Sequence, residues 1–321
     1  MKVCKTELTL PQLPHTHLAS THSTNSQLID WIALSYQEQS PLSHQRPHYT
    51  RPHRLTADTQ TGGRGQHGRS WQSPLGNVYL SLYIPNRRVS STDQSATMLN
   101  GTDNTPYDDS NAVFLDKSLD GRLSLCVGYQ LAKMPVIEQL NQTQEQQNLP
   151  KIGVKWVNDV GFYQQNNSQP QFQKLAGILI EPVSVQGKML GVVVGIGVNI
   201  SHPPTLTATT QEGLNYQAIG VQDFVAEPLA IHDFYTPIEQ AICHAITQFN
   251  GFSEPSNVTQ FIQDFAKADV LTGKKLQINL PMTDKAPIIG TAHGIDSNGS
   301  LQILQDDGTI MPIWTGTIQV L

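Results

Sequence analysis

Apolar residues along this chain keep switching between helical and strand spacing, then settle into strand spacing alone. Behind Ser23, Thr24 and Asn25, the positions Leu28, Ile29, Ile32 and Ala33 recur at helical intervals. Any of the three leading residues suits a helix N-cap, because its side-chain oxygen accepts a backbone N–H that the first turn leaves orphaned. Residues 77–85 alternate cleanly, with Val78, Leu80, Leu82 and Ile84 on one side, which predicts a half-buried strand. Helical spacing returns over 123–140, interrupted by Pro135. Strand-like runs follow at 152–157, 175–182 and 189–200. The second and third are joined through Gln186-Gly187, a connection that suits an antiparallel pair. The third is almost wholly apolar, as expected of a strand buried on both faces. Helices are predicted over 229–249 and 258–267. From about Leu271 only short strands remain, with hairpin signals at Asn298-Gly299 and Asp307-Gly308. Such a stretch makes an SH3-sized barrel with a small core of its own, so it should lean on the rest of the chain.

Two polar stretches interrupt this pattern. Residues 41–52 form a His- and Pro-rich connection, and 86–120 read as an exposed insertion loop. Charged residues make up only 14% of the 321, so Gln, Asn, Ser and Thr must cover much of the surface. The net charge of −6 argues against a chain-wide affinity for nucleic acid. No apolar run reaches eighteen residues, and the N-terminus lacks the apolar core of a secretion signal. Cys4, Cys126 and Cys243 are scattered and odd in number, which gives neither a disulfide frame nor a cysteine metal site. Histidines crowd the first 68 residues without matched ligand spacing, so they read as surface composition and no metal site is expected. Together these features predict a soluble, cytoplasmic protein.

Four short motifs carry chemistry. In Gly62-Gly63-Arg64-Gly65-Gln66-His67-Gly68-Arg69-Ser70-Trp71, the glycines leave backbone N–H groups open to a ligand while Arg64 and Arg69 add positive charge. That suits a phosphate or carboxylate, with Trp71 able to stack on a purine. The spacing is neither a Walker loop nor a dinucleotide fingerprint, and an ordinary Gly-rich surface loop is the plain alternative. Lys155-Trp156-Val157-Asn158-Asp159, at a strand end, groups a cation, an amide and a carboxylate; the alternative is a turn with a solvated lysine. Lys174 opens the run Leu175-Ala176-Gly177-Ile178-Leu179-Ile180-Glu181, where small residues let a ligand approach the backbone, unless Lys174 merely guards an apolar strand. In Gly195-Ile196-Gly197-Val198-Asn199, glycines thin a central strand beside a bidentate amide; a bulge with a polar end is the alternative.

Taken in order, Ser23-Thr24-Asn25, GRGQHGRSW, KWVND, KLAGILIE and GIGVN, followed by the C-terminal strands, resemble the biotin–protein ligases (biotin–[acetyl-CoA-carboxylase] ligases). The likeness runs from about Leu18 to the C-terminus. It implies an α+β fold of the class II aminoacyl-tRNA-synthetase-like kind: a mixed, largely antiparallel sheet flanked by helices, then a small SH3-like β-barrel. The expected division is an N-terminal extension at 1–17, a catalytic domain at 18–269 containing the 86–120 insertion, and an SH3-like domain at 270–321.

The resemblance further implies that biotin's carboxylate attacks the α-phosphorus of ATP, with Mg2+ on the triphosphate, to give biotinyl-5′-AMP. A lysine of the biotin carrier protein of acetyl-CoA carboxylase then takes the biotinyl group. By motif match, Ser23, Thr24, Asn25 and Gln60 hold the ureido and thiophane end, while Arg64, Gly65 and Gln66 close over the carboxylate and phosphate. Lys174 and Gly177 lie beside the reacting carboxylate, and Arg69, Trp71, Asn158 and Asn199 take the adenylate. Asp159 is the candidate for deprotonating the acceptor lysine, and Lys155 for electrostatic support.

The sequence departs from the family pattern in places. Gln66 stands where a third arginine is usual, and Val157 where a proline is usual. The chain stops at Leu321 without the basic tail by which some members touch ATP. About twenty residues precede Ser23, too few for a DNA-binding winged helix, so a stand-alone ligase without specific DNA binding is expected. Lipoate–protein ligases and a non-catalytic biotin or adenylate binder are the rival readings. The oligomeric state stays open, with pairing into a homodimer through the sheet edge as one arrangement such ligases adopt.

Overall fold

Ser23 caps the first helix: its hydroxyl accepts the Ser26 N–H at 3.4 Å, and α1 (Thr24–Gln37) buries Leu28 and Ile32. The structure is a computed structural model that describes residues 14–38, 48–87, 113–166, 169–205, 216–281 and 286–321. Helix α1 packs on an eight-stranded sheet of β1 (His15–Thr21), β2 (His53–Gln60), β3 (Val78–Pro85), β4 (Gly153–Lys155), β5 (Asp159–Asn166), β6 (Gln169–Val185), β7 (Lys188–Val198) and β8 (Tyr216–Ala218). Their order is β1-β2-β3-β7-β6-β5-β4, with β8 beside β6. The β1–β2 and β6–β8 pairs are parallel and the others antiparallel, which makes the expected mixed sheet.

Strand β3 is more deeply placed than its alternation predicts, since every residue in it is buried. Val78, Leu80, Leu82 and Ile84 join the larger core, whereas Tyr83 enters a second core with Leu28 and Ile32 of α1. The polar member, Ser81, is buried because its hydroxyl bonds to Thr24 and Asn25. Alternation here records two different packing partners instead of core against solvent. The hairpin at Gln186-Gly187 forms as expected, with both residues at positive φ (51° and 77°) and β7 central between β3 and β6. The run at 152–157 shortens to β4, and β5 was hidden by the polar residues at its far end.

Pro135 divides the 123–140 stretch into α2 (Arg122–Ala132) and α3 (Pro135–Gln146), standing at the first turn of α3 where a missing N–H costs nothing. The predicted helix from 229 starts later, as α4 (Tyr235–Asn250) behind a 3-10 turn at Ile231–Phe234, and α5 spans Pro255–Phe265. Helices α2 and α4 pack together over the larger core.

The C-terminal strands β9 (Lys275–Asn279), β10 (Ile288–Ile295), β11 (Leu301–Leu304), β12 (Ile310–Ile313) and β13 (Thr317–Val320) form a second sheet in the order β12-β11-β10-β9-β13. Gly299 and Gly308 take the positive φ (83° and 86°) that their hairpin turns require. This sheet leans on the first: Leu276, Ile278 and Ile303 belong to the same core as α2. The Trp156 indole donates to the Gly299 carbonyl at 2.9 Å, and Arg122 to Ser297 at 3.1 Å.

Some boundaries shift. β1 begins at His15, so a division after residue 17 falls inside a strand. At the base of the 86–120 insertion, Leu115 is fully buried and its N–H donates to the Pro85 carbonyl at 2.9 Å. That end is therefore packed rather than exposed; residues 88–112 of the insertion and 41–47 of the earlier connection lie outside the described residues. Cys126 and Cys243 are buried and unbonded to each other, and no described helix is long and apolar enough to cross a membrane.

The early histidines are more than surface composition. His53 is buried on β2, with its ring nitrogen 3.1 Å from the Thr16 hydroxyl and its ring against Trp31 and His48. Burial, reinforced by His48, Arg51 and His15, pulls its pKa down from 6.5 to about 4. His15 falls to about 4 as well, through burial and then Arg54 and His17. The unfolded chain therefore binds more protons between these values, and stability is full above about pH 6.5 and lost as pH falls toward 4. For His53 the loss between about pH 7 and pH 5 is on the order of 2 kcal/mol. Urea midpoints at the two pH values should differ in that sense, and less so in His53→Gln; an equal slope in the variant would exclude His53 as a source.

Candidate functional site

Strands β6 and β7 pair so that Gly177 lies opposite Gly197 and Leu179 opposite Gly195, which leaves a floor almost without side chains. The protein fills much of that space itself. A Cβ on Gly177 would stand 2.8 Å from the Trp71 ring, one on Gly197 2.6 Å from it, and one on Gly195 2.1 Å from Asn25 Oδ1. The glycines thus admit Trp71 and Asn25 directly, and any ligand meets those two side chains rather than bare strand. Above the floor opens a cleft of about 130 Å3.

At one end, the N-terminus of α1 meets the end of β2. Gln60 Oε1 accepts from the Thr24 N–H at 2.8 Å and from its hydroxyl at 3.1 Å, and Gln60 Nε2 donates to Ser73 at 2.9 Å. The single Ser81 hydroxyl proton is shared between Asn25 Oδ1 at 2.5 Å and Thr24 Oγ1 at 2.8 Å. Asn25 Nδ2 in turn donates to the Leu179 carbonyl and to Glu181. With Ser23 beside them, these side chains form a fixed wall of uncharged donors and acceptors.

The Gly-rich loop covers the cleft as a small hairpin. Arg64 bridges to Ser70, the Gly65 N–H donates to Arg69 at 2.8 Å, and the Trp71 N–H to Gly63 at 2.8 Å. The Gly62 N–H is also taken, by the His22 carbonyl. The loop's amides are therefore less available to a ligand than the glycine count predicts. Its tip turns through His67 and Gly68 at positive φ (57° and 74°). Arg64, Gly65, Gln66, Arg69 and Trp71 all line the cleft, and Trp71 Nε1 is buried with no hydrogen-bond partner.

At the other end Lys174 Nζ pairs with Asp159 at 2.8 Å and stands 5.2 Å from the Trp71 ring centre. Asn158 is stitched to β6, donating to the Ile178 carbonyl at 3.1 Å while its own carbonyl accepts the Ile178 N–H. Asn199 donates from its amide to the Lys174 carbonyl at 3.3 Å, and its buried Oδ1 has no partner. Lys155 is the exception among the residues singled out from sequence. It is 2% exposed, not solvated, and lies behind the cleft wall with its ammonium bonded to the Tyr216 hydroxyl and 5.0 Å from the Phe172 ring centre. Its contact with the cleft lining runs through Tyr216.

Tyr79, Glu181 and Tyr216 belong to this arrangement and were not singled out. Burial pushes the Tyr79 phenol up to about 12, so it stays protonated and donates to the Pro74 carbonyl at 2.7 Å. Period-two spacing from Gly177 would have found Glu181; Tyr216 stands in a polar stretch with no local signal. Among the described residues no group of three or more His, Cys, Asp or Glu stands together as a metal site.

An uncharged polar pocket joined to three cations under a Gly-rich lid is what an acyl-adenylating ligase needs. The sequence profile of the biotin/lipoate A/B protein ligase family matches residues 36–105, the stretch that carries Gln60, the lid and β3. Over that stretch the chain is similar to the biotin/lipoate protein ligases. Among similar proteins, the bifunctional ligase/repressor BirA of Escherichia coli K12 is 26% identical over 264 residues, and that of Salmonella typhimurium 26% over 265. Both alignments cover 81% of this chain and 63% of the relative, so the chain spans under two thirds of those proteins. The biotin protein ligase of Aquifex aeolicus, solved with biotin and ATP, shares the fold across 96% of this chain and 98% of its own, with a TM-score of 0.59 at 19% identity.

Proposed function

We propose that the chain is an ATP-dependent biotin ligase, which forms biotinyl-5′-AMP and passes the biotinyl group to a lysine of a biotin carrier domain, that of acetyl-CoA carboxylase being the expected acceptor. The observation that carries this reading is the continuity of the cleft from the Ser23–Thr24–Asn25–Gln60 wall to Lys174 and the lid arginines. A ureido ring, with two N–H groups and one carbonyl, suits that polar wall; the dithiolane of lipoate offers it nothing to bond.

In the first step a carboxylate oxygen of biotin bonds to the α-phosphorus as the bond to the bridging oxygen breaks and pyrophosphate leaves. Both reactants are anions, so Arg64, Arg69 and Lys174 act chiefly by holding them together and offsetting charge. Mg2+ arrives as part of the MgATP substrate. Trp71 packs on the adenylate, while Asn158 and the open Oδ1 of Asn199 address the base. In the second step the acceptor amine bonds to the carbonyl carbon and AMP leaves. That lysine, with an ordinary pKa of about 10.4, must first lose a proton, and Asp159 is the carboxylate we assign to take it. Lys155 supports the site through Tyr216. The covering loop excludes water from an anhydride prone to hydrolysis.

Incubation of an apo biotin carrier domain with this protein, biotin and MgATP should add one biotinyl group by intact mass, and none with lipoate. Formation of neither adenylate nor product would move the reading to a non-catalytic binder. Gln66 lines the cleft where the family usually has arginine. The adenylate should therefore leave faster than from a Gln66→Arg variant, by about three- to tenfold; equal off-rates would show that the missing charge has no role.

A further inference from the structure

Gly177, Leu179 and Glu181 follow one another on the cleft-facing side of β6, and Glu181 ends the row. Its carboxylate is held from the α1 side by Asn25 Nδ2, 2.9 Å from Oε2, and Asn25 is itself fixed by Leu179 and Ser81. From the lid side, Arg64 grips the same carboxylate with both ends of its guanidinium, at 2.8 and 2.6 Å. One partner is rigid and the other rides on a glycine loop. The end-on fork is also the grip that Arg64 would offer a ligand carboxylate or phosphate, and two anions cannot both have it.

We infer that Glu181 is a positioning residue that latches the Gly-rich lid over the cleft through Arg64 and yields Arg64 to the incoming anionic group of the ligand. The second half of this inference rests on the biotin reading. The pair is partly exposed, with side-chain accessibilities of 39% and 22%, so it is weak enough to exchange. The bridge from Arg64 to Ser70 carries the hold to Arg69 and the rest of the lid. Apparent affinity for the anion is then reduced by the fraction of molecules in which Arg64 is still engaged.

Glu181→Gln in the full chain removes the charge and keeps an oxygen for Asn25. Two readouts separate the possibilities. Without ligand, trypsin should cut after Arg69 about fivefold faster than in wild type. Arg64→Lys, which keeps the charge but loses the fork, should speed cutting in the same way; unchanged cutting in both variants overturns the latch. By calorimetry, Glu181→Gln should bind biotin about fivefold more tightly and bind biotinol, its uncharged alcohol, as wild type does. Equal weakening for both ligands would mean that Glu181 only supports Asn25. Weakening for biotin alone would mean that Arg64 works from its place on Glu181. If wild type binds neither ligand the biotin reading falls, and the ligand-free cutting still decides the latch.

Discussion

Lys174→Ala should lower the rate of adenylate formation by about 10²- to 10⁴-fold, read as pyrophosphate release with biotin and MgATP, with little change in thermal stability. Lys174 is the cation at the foot of the cleft, and its ammonium is held by Asp159 at 2.8 Å rather than left to wander in solvent. Removing it leaves two anions to approach each other with one fewer positioned charge, an effect confined to the step in which they react. Arg64→Ala acts on the lid instead and should raise KM for both substrates as well as lower kcat. A Lys174→Ala enzyme within tenfold of wild type would remove Lys174 from the reaction and leave it a strand-end charge.

Two single methyl groups on the floor should separate the two halves of the cleft. Gly195→Ala places a Cβ 2.1 Å from Asn25 Oδ1, and Asn25 cannot retreat because Ser81, Leu179 and Glu181 all bond it. The wall proposed to hold the ureido ring is displaced, and affinity for biotin should fall by about 100-fold. Gly197→Ala meets Trp71 at 2.6 Å and pushes the indole off the floor, so the loss should appear in KM for ATP and in adenylate retention. Gly121, whose added Cβ would meet nothing within 4 Å, is the control. Equal effects of Gly195→Ala on biotin and ATP would show that the two ends are not independent.

Much of this is legible in the sequence itself. Helix starts, the Gln186-Gly187 hairpin and the terminal hairpins are local events, written in caps, Pro135 and turn glycines. The cleft-forming motifs were readable too, since each joins glycine to a polar or charged residue within a few positions. What escaped depends on distant partners. The alternation of β3 could not reveal that its second face is covered by α1, and the glycines of β6 and β7 looked like room for a ligand until Trp71 and Asn25 were seen to occupy it. Lys155 reads as solvated because the aromatic rings around it come from β5, β6 and β8, up to 61 residues further on. Glu181 belonged to a quoted motif, yet its meaning appears only when Arg64, far earlier in the chain, folds back onto it.

The hydrogen bond from the Trp156 indole to the Gly299 carbonyl has a consequence for engineering. Trp156 lies two residues before Asn158 and three before Asp159, so the turn that presents these side chains is propped from behind by a hairpin of the C-terminal sheet. A Cβ on Gly299 would also press within 2.9 Å of Arg122 on α2. A chimera that swaps this sheet for one from a biotin ligase must therefore transplant the Gly299 hairpin unchanged, because a foreign tip would shift the Asp159 carboxylate, the proposed acceptor of the lysine proton, without touching a single residue of the cleft.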